Sequence, residues 1–222
     1  MLRWLKSNRG FVVFLLGVGL FRTAVADWNP IPSGSMRPTL LEGDVVLVDR
    51  LAYDLKLPLT DMVLAHRADP RRGDVVTFSS PVDGTRLIKR LVALPGDTVE
   101  LRDGRLSING EAAVYDEREV VRDSVATGVD LPALRTTERL AGSTRRVQYL
   151  GGATAARQFG PVVVPADHFF MLGDNRDNSQ DSRYIGFVPR HLLVGRAHRV
   201  LVSADVLGHW QPRLERTVLP IR

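Results

Sequence analysis

Val99-Glu100-Leu101-Arg102-Asp103-Gly104-Arg105-Leu106-Ser107-Ile108 is two alternating apolar/polar runs closed by Asp-Gly. Apolar residues at 99, 101, 106 and 108 share one face when each run is extended, because strand side chains alternate with period two. Asp-Gly between such runs is a strong short hairpin signal, since a two-residue turn needs positive φ at both central positions. Similar short runs recur on both sides. Strands are expected at 44–49 after Glu42-Gly43, at 74–79 after Arg71-Arg72-Gly73, and at 87–94 before Pro95-Gly96. Further strands are expected at 146–150, 162–164, 168–172 and 197–203. Helical periodicity is weak except in an N-terminal apolar run and around 189–194. The stretch 116–143 is polar and charged and reads as an excursion within a broader insertion at about 111–165. The fold class is therefore mainly β, a coiled antiparallel β-sheet body, with one N-terminal transmembrane helix.

Composition bounds the partners. The chain has 222 residues, of which 44% are hydrophobic and 25% charged, as expected of one domain with a true core. Its formal charge is +5, but the arginines are interleaved with 25 acidic residues and form no basic run carrying stacking aromatics. Nucleic-acid binding is not indicated. A basic surface facing anionic lipid fits the same charge. No cysteine is present, so thiolate chemistry and disulfides are excluded. The five histidines have no metal spacing, and no cofactor is expected.

Arg3, Lys6 and Arg9 precede the apolar run from Phe11 to Phe21. The positive-inside rule places residues 1–10 in the cytoplasm, 11–26 in the membrane and 27–222 beyond it. Ala24-Val25-Ala26 also matches a small-x-small cleavage site, so a removable signal peptide is the competing reading of this segment. Trp28 is placed to mark the far interface.

Lysine usage supplies the chemical clue. Of 30 basic side chains only Lys6, Lys56 and Lys89 are lysines. Arginine stays protonated, whereas a buried lysine gives up its proton readily. Lys6 and Lys56 read as surface residues. Lys89 lies in the apolar strand Leu87-Ile88-Lys89-Arg90-Leu91-Val92, where a lone lysine would ordinarily be an edge-strand gatekeeper. The turn Pro32-Ser33-Gly34-Ser35-Met36-Arg37-Pro38-Thr39-Leu40 offers a serine that needs a base.

With the loop Gly173-Asp174-Asn175-Arg176-Asp177-Asn178-Ser179-Gln180-Asp181-Ser182-Arg183, these segments resemble the type I signal peptidases, membrane-bound Ser/Lys endopeptidases. The likeness runs from about Asp27 to the strand at 197–203. It implies Ser35 as nucleophile and Lys89 as general base. Ser33 would join the Ser35 N–H in an oxyanion hole, Ser179 would hydrogen-bond and orient the lysine amine, and Asp181 and Arg183 would brace that arrangement. Ile31, Pro32, Met36, Leu40 and Ile88 would line shallow pockets for small residues of Ala-x-Ala type sites. Precursor proteins carrying signal peptides and the phospholipid membrane would be the partners. The location would be the bacterial inner membrane, single-pass, with the catalytic domain on the periplasmic side. The loop is not a calcium site, because Arg176 stands where a second oxygen ligand is required. Two rival readings share parts of this pattern: a specialised Ser/Lys peptidase for pilin or conjugation proteins, and a non-enzymatic membrane-anchored β scaffold. A self-cleaving LexA-like repressor would need a DNA-binding helix-turn-helix where this chain is apolar.

Overall fold

The expected hairpin is present. In the computed structural model, which describes residues 8–58, 60, 62–152 and 155–221, Thr98–Arg102 (β7) pairs with Arg105–Ile108 (β8) around Asp103-Gly104. Both turn residues have positive φ, at 51° and 76°. Glu111–Ala112 (β9) and Phe159–Val163 (β13) complete a four-stranded sheet in the order β13-β7-β8-β9.

The principal sheet has eight strands, and its pairings are antiparallel. Its order is Ala26–Pro30 (β1), Asp44–Asp49 (β2), Leu193–Ser203 (β16), Val75–Ser79 (β5), Arg86–Ala93 (β6), His168–Leu172 (β14) and Val188–Pro189 (β15). Leu219–Pro220 (β17) pairs with Arg199 and Val200 of β16. Register shifts in the β16–β2, β16–β5 and β14–β6 ladders mark bulges, which bend strands and increase their twist. A separate hairpin joins Asp54–Lys56 (β3) to Val63–His66 (β4). One core lies between β6, β14 and the β7–β8 hairpin, around Val92, Leu101, Leu106, Phe170 and Leu172. A second gathers Ile31, Met36, Leu40, Val46, Val48 and Val200.

The polar stretch departs from its expected form. Val114–Ala126 (β10), Val129–Leu140 (β11) and Ser143–Leu150 (β12) make a three-stranded antiparallel sheet. The strand expected at 146–150 is the greater part of β12, whereas β10 and β11 were hidden because their buried positions include Asp123, Thr136 and Glu138. With polar residues on the inner face, no hydrophobic alternation reports the strand. The helical expectation at 189–194 reduces to a 3-10 turn, Arg190–Leu192, leading into β16.

The three lysine readings are each corrected, bounded or decided here. Lys56 is buried, not superficial, and its amine donates to the carbonyls of His191 at 3.0 Å and Leu193 at 2.7 Å. Lys6 lies outside the described residues, as does Arg3. Lys89 is no edge gatekeeper, because β6 is flanked by β5 and β14. The N-terminal helix, Arg9–Ala24 (α1), buries none of its 16 residues, and no helix among the described residues is long and apolar enough to cross a membrane.

Candidate active site

Strand register delivers Lys89 to the serine turn. The β6–β14 ladder pairs Leu91 with Met171 and Arg90 with Leu172, then ends one residue short of Lys89. Beyond Leu172 the chain leaves the sheet as the loop 173–183, so the loop begins beside the lysine. On the other flank Lys89 pairs with Val76 of β5. Gly34–Met36 forms one 3-10 turn, capped by the Arg37 N–H donating to the Gly34 carbonyl at 3.1 Å. Met36 and Leu40 root this turn in the core, which fixes where Ser35 points.

The Lys89 amine donates to Ser35 Oγ at 2.6 Å, with Lys89 3% and Ser35 7% exposed. Burial pulls the lysine pKa down to about 8, while the negative charges of Asp181 and Asp174 oppose the shift. Taking charge out of water disfavours the ammonium form, and this outweighs the two carboxylates. A lysine near neutrality can take a proton from the serine with which it shares a hydrogen bond. The Ser33 hydroxyl reaches Ser35 Oγ at 3.5 Å.

Loop 173–183 holds the serine turn through its backbone carbonyls. Asn175 donates its backbone N–H to the Ser35 carbonyl and its side-chain amide to the Gly34 carbonyl, both at 3.1 Å. Asp174 receives Arg90 Nε at 2.8 Å and Nη2 at 2.7 Å, and also the Thr39 hydroxyl. Asp181 receives Arg183 Nε and Nη2, each at 2.8 Å, and its carboxylate accepts the Gly173 N–H at 3.0 Å. The same residue caps the short helix Ser182–Ile185 (α2). Gly173 is required by space: a Cβ there would meet the Ser179 side chain and stand 2.5 Å from the Ser35 carbonyl.

Several expected site residues behave differently from their expected roles. Ser179 Oγ is buried without a hydrogen-bond partner, and among the described residues Lys89 Nζ bonds only Ser35. Ser179 packs against Gly173 rather than holding the amine. Ile31, Met36 and Leu40 are core residues with at most 4% exposure, so they shape the site from behind and present almost nothing to a bound peptide. Pro32 is exposed and Ile88 half-buried. Arg90, Thr39 and Asn175 belong to the site although residue-type reasoning did not single them out. Their signal was adjacency to Lys89, to the serine turn and within the 173–183 run.

Residues 1–202 match the family model described as signal peptidase, peptidase S26. The chain belongs to this family. A signal peptidase I of Pseudomonas fluorescens is 38% identical over 210 residues, spanning 89% of this chain and 72% of the relative. A signal peptidase I of Pseudomonas aeruginosa is 35% identical with the same coverage. The crystal structure of a signal peptidase I from Enterococcus faecalis, 32% identical, covers 58% of this chain and 97% of its own, at a TM-score of 0.36. Membership in the signal peptidase family makes this a serine endopeptidase.

Proposed function

We propose that this signal peptidase removes N-terminal signal peptides from exported precursors with a Ser35/Lys89 dyad, cutting after small residues. The observation that carries the reading is the 2.6 Å contact between a buried amine and Ser35 Oγ. In its neutral form Lys89 accepts the Ser35 proton as Oγ attacks the scissile carbonyl carbon. The tetrahedral oxyanion takes hydrogen bonds from the Ser35 N–H and the Ser33 hydroxyl, donors that act where charge develops. The C–N bond then breaks, and the Lys89 ammonium hands its proton to the departing amine. A water deprotonated by Lys89 attacks the ester, and Ser35 recovers its proton as the peptide acid leaves. Asp181, braced by Arg183, and Asp174, braced by Arg90, keep the loop shape around this pair. Pro32 and Ile88 contribute the exposed apolar surface for small side chains.

In the same reading residues 11–26 form a retained single-pass anchor, with 1–10 cytoplasmic and 27–222 on the periplasmic side of the bacterial inner membrane. Support comes from α1, which buries none of its residues and exposes Phe11, Val13, Phe14, Leu16 and Phe21. At its end Arg22 lies 4.7 Å from the Trp28 ring, an amphipathic pair suited to a headgroup region.

The test is cleavage of a precursor bearing an Ala-x-Ala site by purified protein, beside Ser35→Ala and Lys89→Arg. The parent protein should cut, and both variants should lose activity by about a thousandfold or more, because arginine cannot act as base. Activity of the parent should rise with pH to a plateau, with its midpoint near the lysine pKa of about 8, since only the neutral amine is competent. Substantial cleavage by Lys89→Arg would overturn the dyad.

A further inference from the structure

A buried hydrogen-bond circuit ties the serine turn to the three-stranded sheet β10–β12, which carries none of the residues of the dyad. Arg37, two residues after Ser35, folds its side chain over Gly34, where a Cβ would stand 3.2 Å from Arg37 Cδ and Nε. From there its Nε donates to Glu42 Oε2 at 2.7 Å and its Nη1 to Asp123 Oδ1 at 2.8 Å. Asp123 sits in β10 and is 3% exposed. The same Oδ1 accepts Arg135 Nη2 at 2.8 Å, and Oδ2 accepts the Gln148 side-chain amide at 2.8 Å. Gln148 Oε1 in turn accepts Arg135 Nε at 2.9 Å.

The circuit closes through backbone. The Gln148 N–H donates to the Asp174 carbonyl and the Arg176 N–H to the Gln148 carbonyl, both at 2.8 Å. Asn175, lying between those two residues, bonds the Ser35 and Gly34 carbonyls. Starting at Ser35, the path therefore runs through Asn175, Asp174, Gln148, Asp123 and Arg37 back to the serine turn. Two cations, the buried Arg37 and the half-buried Arg135, face two buried carboxylates, Glu42 and Asp123, so the charges compensate. A buried carboxylate held by three donors has one low-energy orientation, since any other leaves charge or donors unpaired.

We propose that Asp123 is a positioning residue for the Ser35 turn, acting through Arg37, and that the buried polar face of the three-stranded sheet around it supports the catalytic site. The proposal rests on Ser35 being the nucleophile. Asp123 touches neither Ser35 nor Lys89; it sets where the Ser35 Oγ and N–H stand relative to the amine. Misplacement of reacting groups by about 1 Å can lower a rate about a hundredfold without altering ground-state binding.

The experiment compares Asp123→Asn, Arg37→Gln and the double variant in the full chain, with Ser35→Ala and Glu119→Gln alongside. Glu119 lies in the same strand but makes only an exposed pair with Arg146. Asp123→Asn is expected to lower kcat by about 10- to 100-fold with KM within about threefold of the parent. The midpoint of its kcat–pH profile should stay in place, because Lys89 keeps its neighbours. Arg37→Gln should resemble it, and the double variant should be no worse than the worse single, since both cut one path. Glu119→Gln should leave kcat unchanged. Should Asp123→Asn fail to fold, Arg37→Lys carries the same expectation, because a lysine retains the charge yet cannot fork between Glu42 and Asp123. Unchanged kcat in a folded Asp123→Asn or Arg37→Lys, a defect confined to KM, or additive losses in the double variant would overturn the proposal. If Ser35→Ala itself retained cleavage, the nucleophile assignment would fall instead, so the two failures are told apart.

Discussion

Replacing Lys89 with methionine isolates the energetic consequence of burying an amine beside Ser35. Burial lowers the folded-state pKa from the ordinary 10.5 to about 8, against the opposing pull of Asp181 and Asp174. Because the folded value lies below the unfolded one, the unfolded chain binds more protons between the two, and stability rises with pH across that window. At about pH 7 both states are largely protonated, and the folded state carries a penalty of about 3 kcal/mol at about 1.4 kcal/mol per pKa unit. By about pH 10 the folded amine is neutral, the unfolded one is only partly protonated, and less than about 1 kcal/mol remains. Methionine has nearly the same reach, no titration and no charge to desolvate. Lys89→Met is therefore expected to exceed the parent in stability by most of that penalty at about pH 7, with the excess shrinking by about 2 kcal/mol by about pH 10. Urea unfolding of both proteins in the same detergent, at steps across that range, reads the difference directly. Titration of the tyrosines cancels in the subtraction. Parallel stability curves would refute the argument, because they would mean that folding leaves the lysine pKa unchanged.

Two further outcomes follow from the same geometry. Gly173→Ala places a Cβ against the Ser179 side chain and 2.5 Å from the Ser35 carbonyl, so the serine turn must shift. Peptide cleavage should drop at least about tenfold while far-ultraviolet circular dichroism stays unchanged, and full activity would show that the turn tolerates displacement. Deleting residues 1–26 should spare cleavage of short soluble peptides and impair processing of membrane-inserted precursors, because tethering raises effective concentration. Equal losses on both substrates, or a mature protein from membranes that starts at Asp27, would refute the anchor.

Much of the β framework was legible in the chain because its strands carry local signals. The hairpin at 99–108 declares itself through alternation and Asp-Gly, and β2, β5, β6, β14 and β16 through apolar runs between turn residues. Where the inner face of a strand is polar, that signal vanishes. β10 and β11 are 13 and 12 residues long, yet Asp123, Thr136 and Glu138 occupy inner positions where apolar residues would have marked the pattern. Lys56 misled for a related reason: a lysine can be buried when carbonyls such as those of His191 and Leu193 receive its amine, and those residues lie far along the chain.

The serine turn, the lone strand lysine and the 173–183 loop were each readable, because a short motif carries its own chemistry. Their assembly was not. Lys89 meets Ser35 across 54 residues of chain, and Arg37 meets Asp123 across 86. Nothing in local spacing specifies either encounter; strand register and core packing bring the groups together. The sequence alone determined which residue types were available for catalysis and that a β-rich body would hold them. Only the tertiary structure decided that the lysine is dry enough to approach neutrality, that Met36 and Leu40 lie buried in the core beneath the serine turn, and that Ser179 faces Gly173. Each of these depends on solvent exclusion and on contacts between distant segments, which exist only once the sheets have closed around the site.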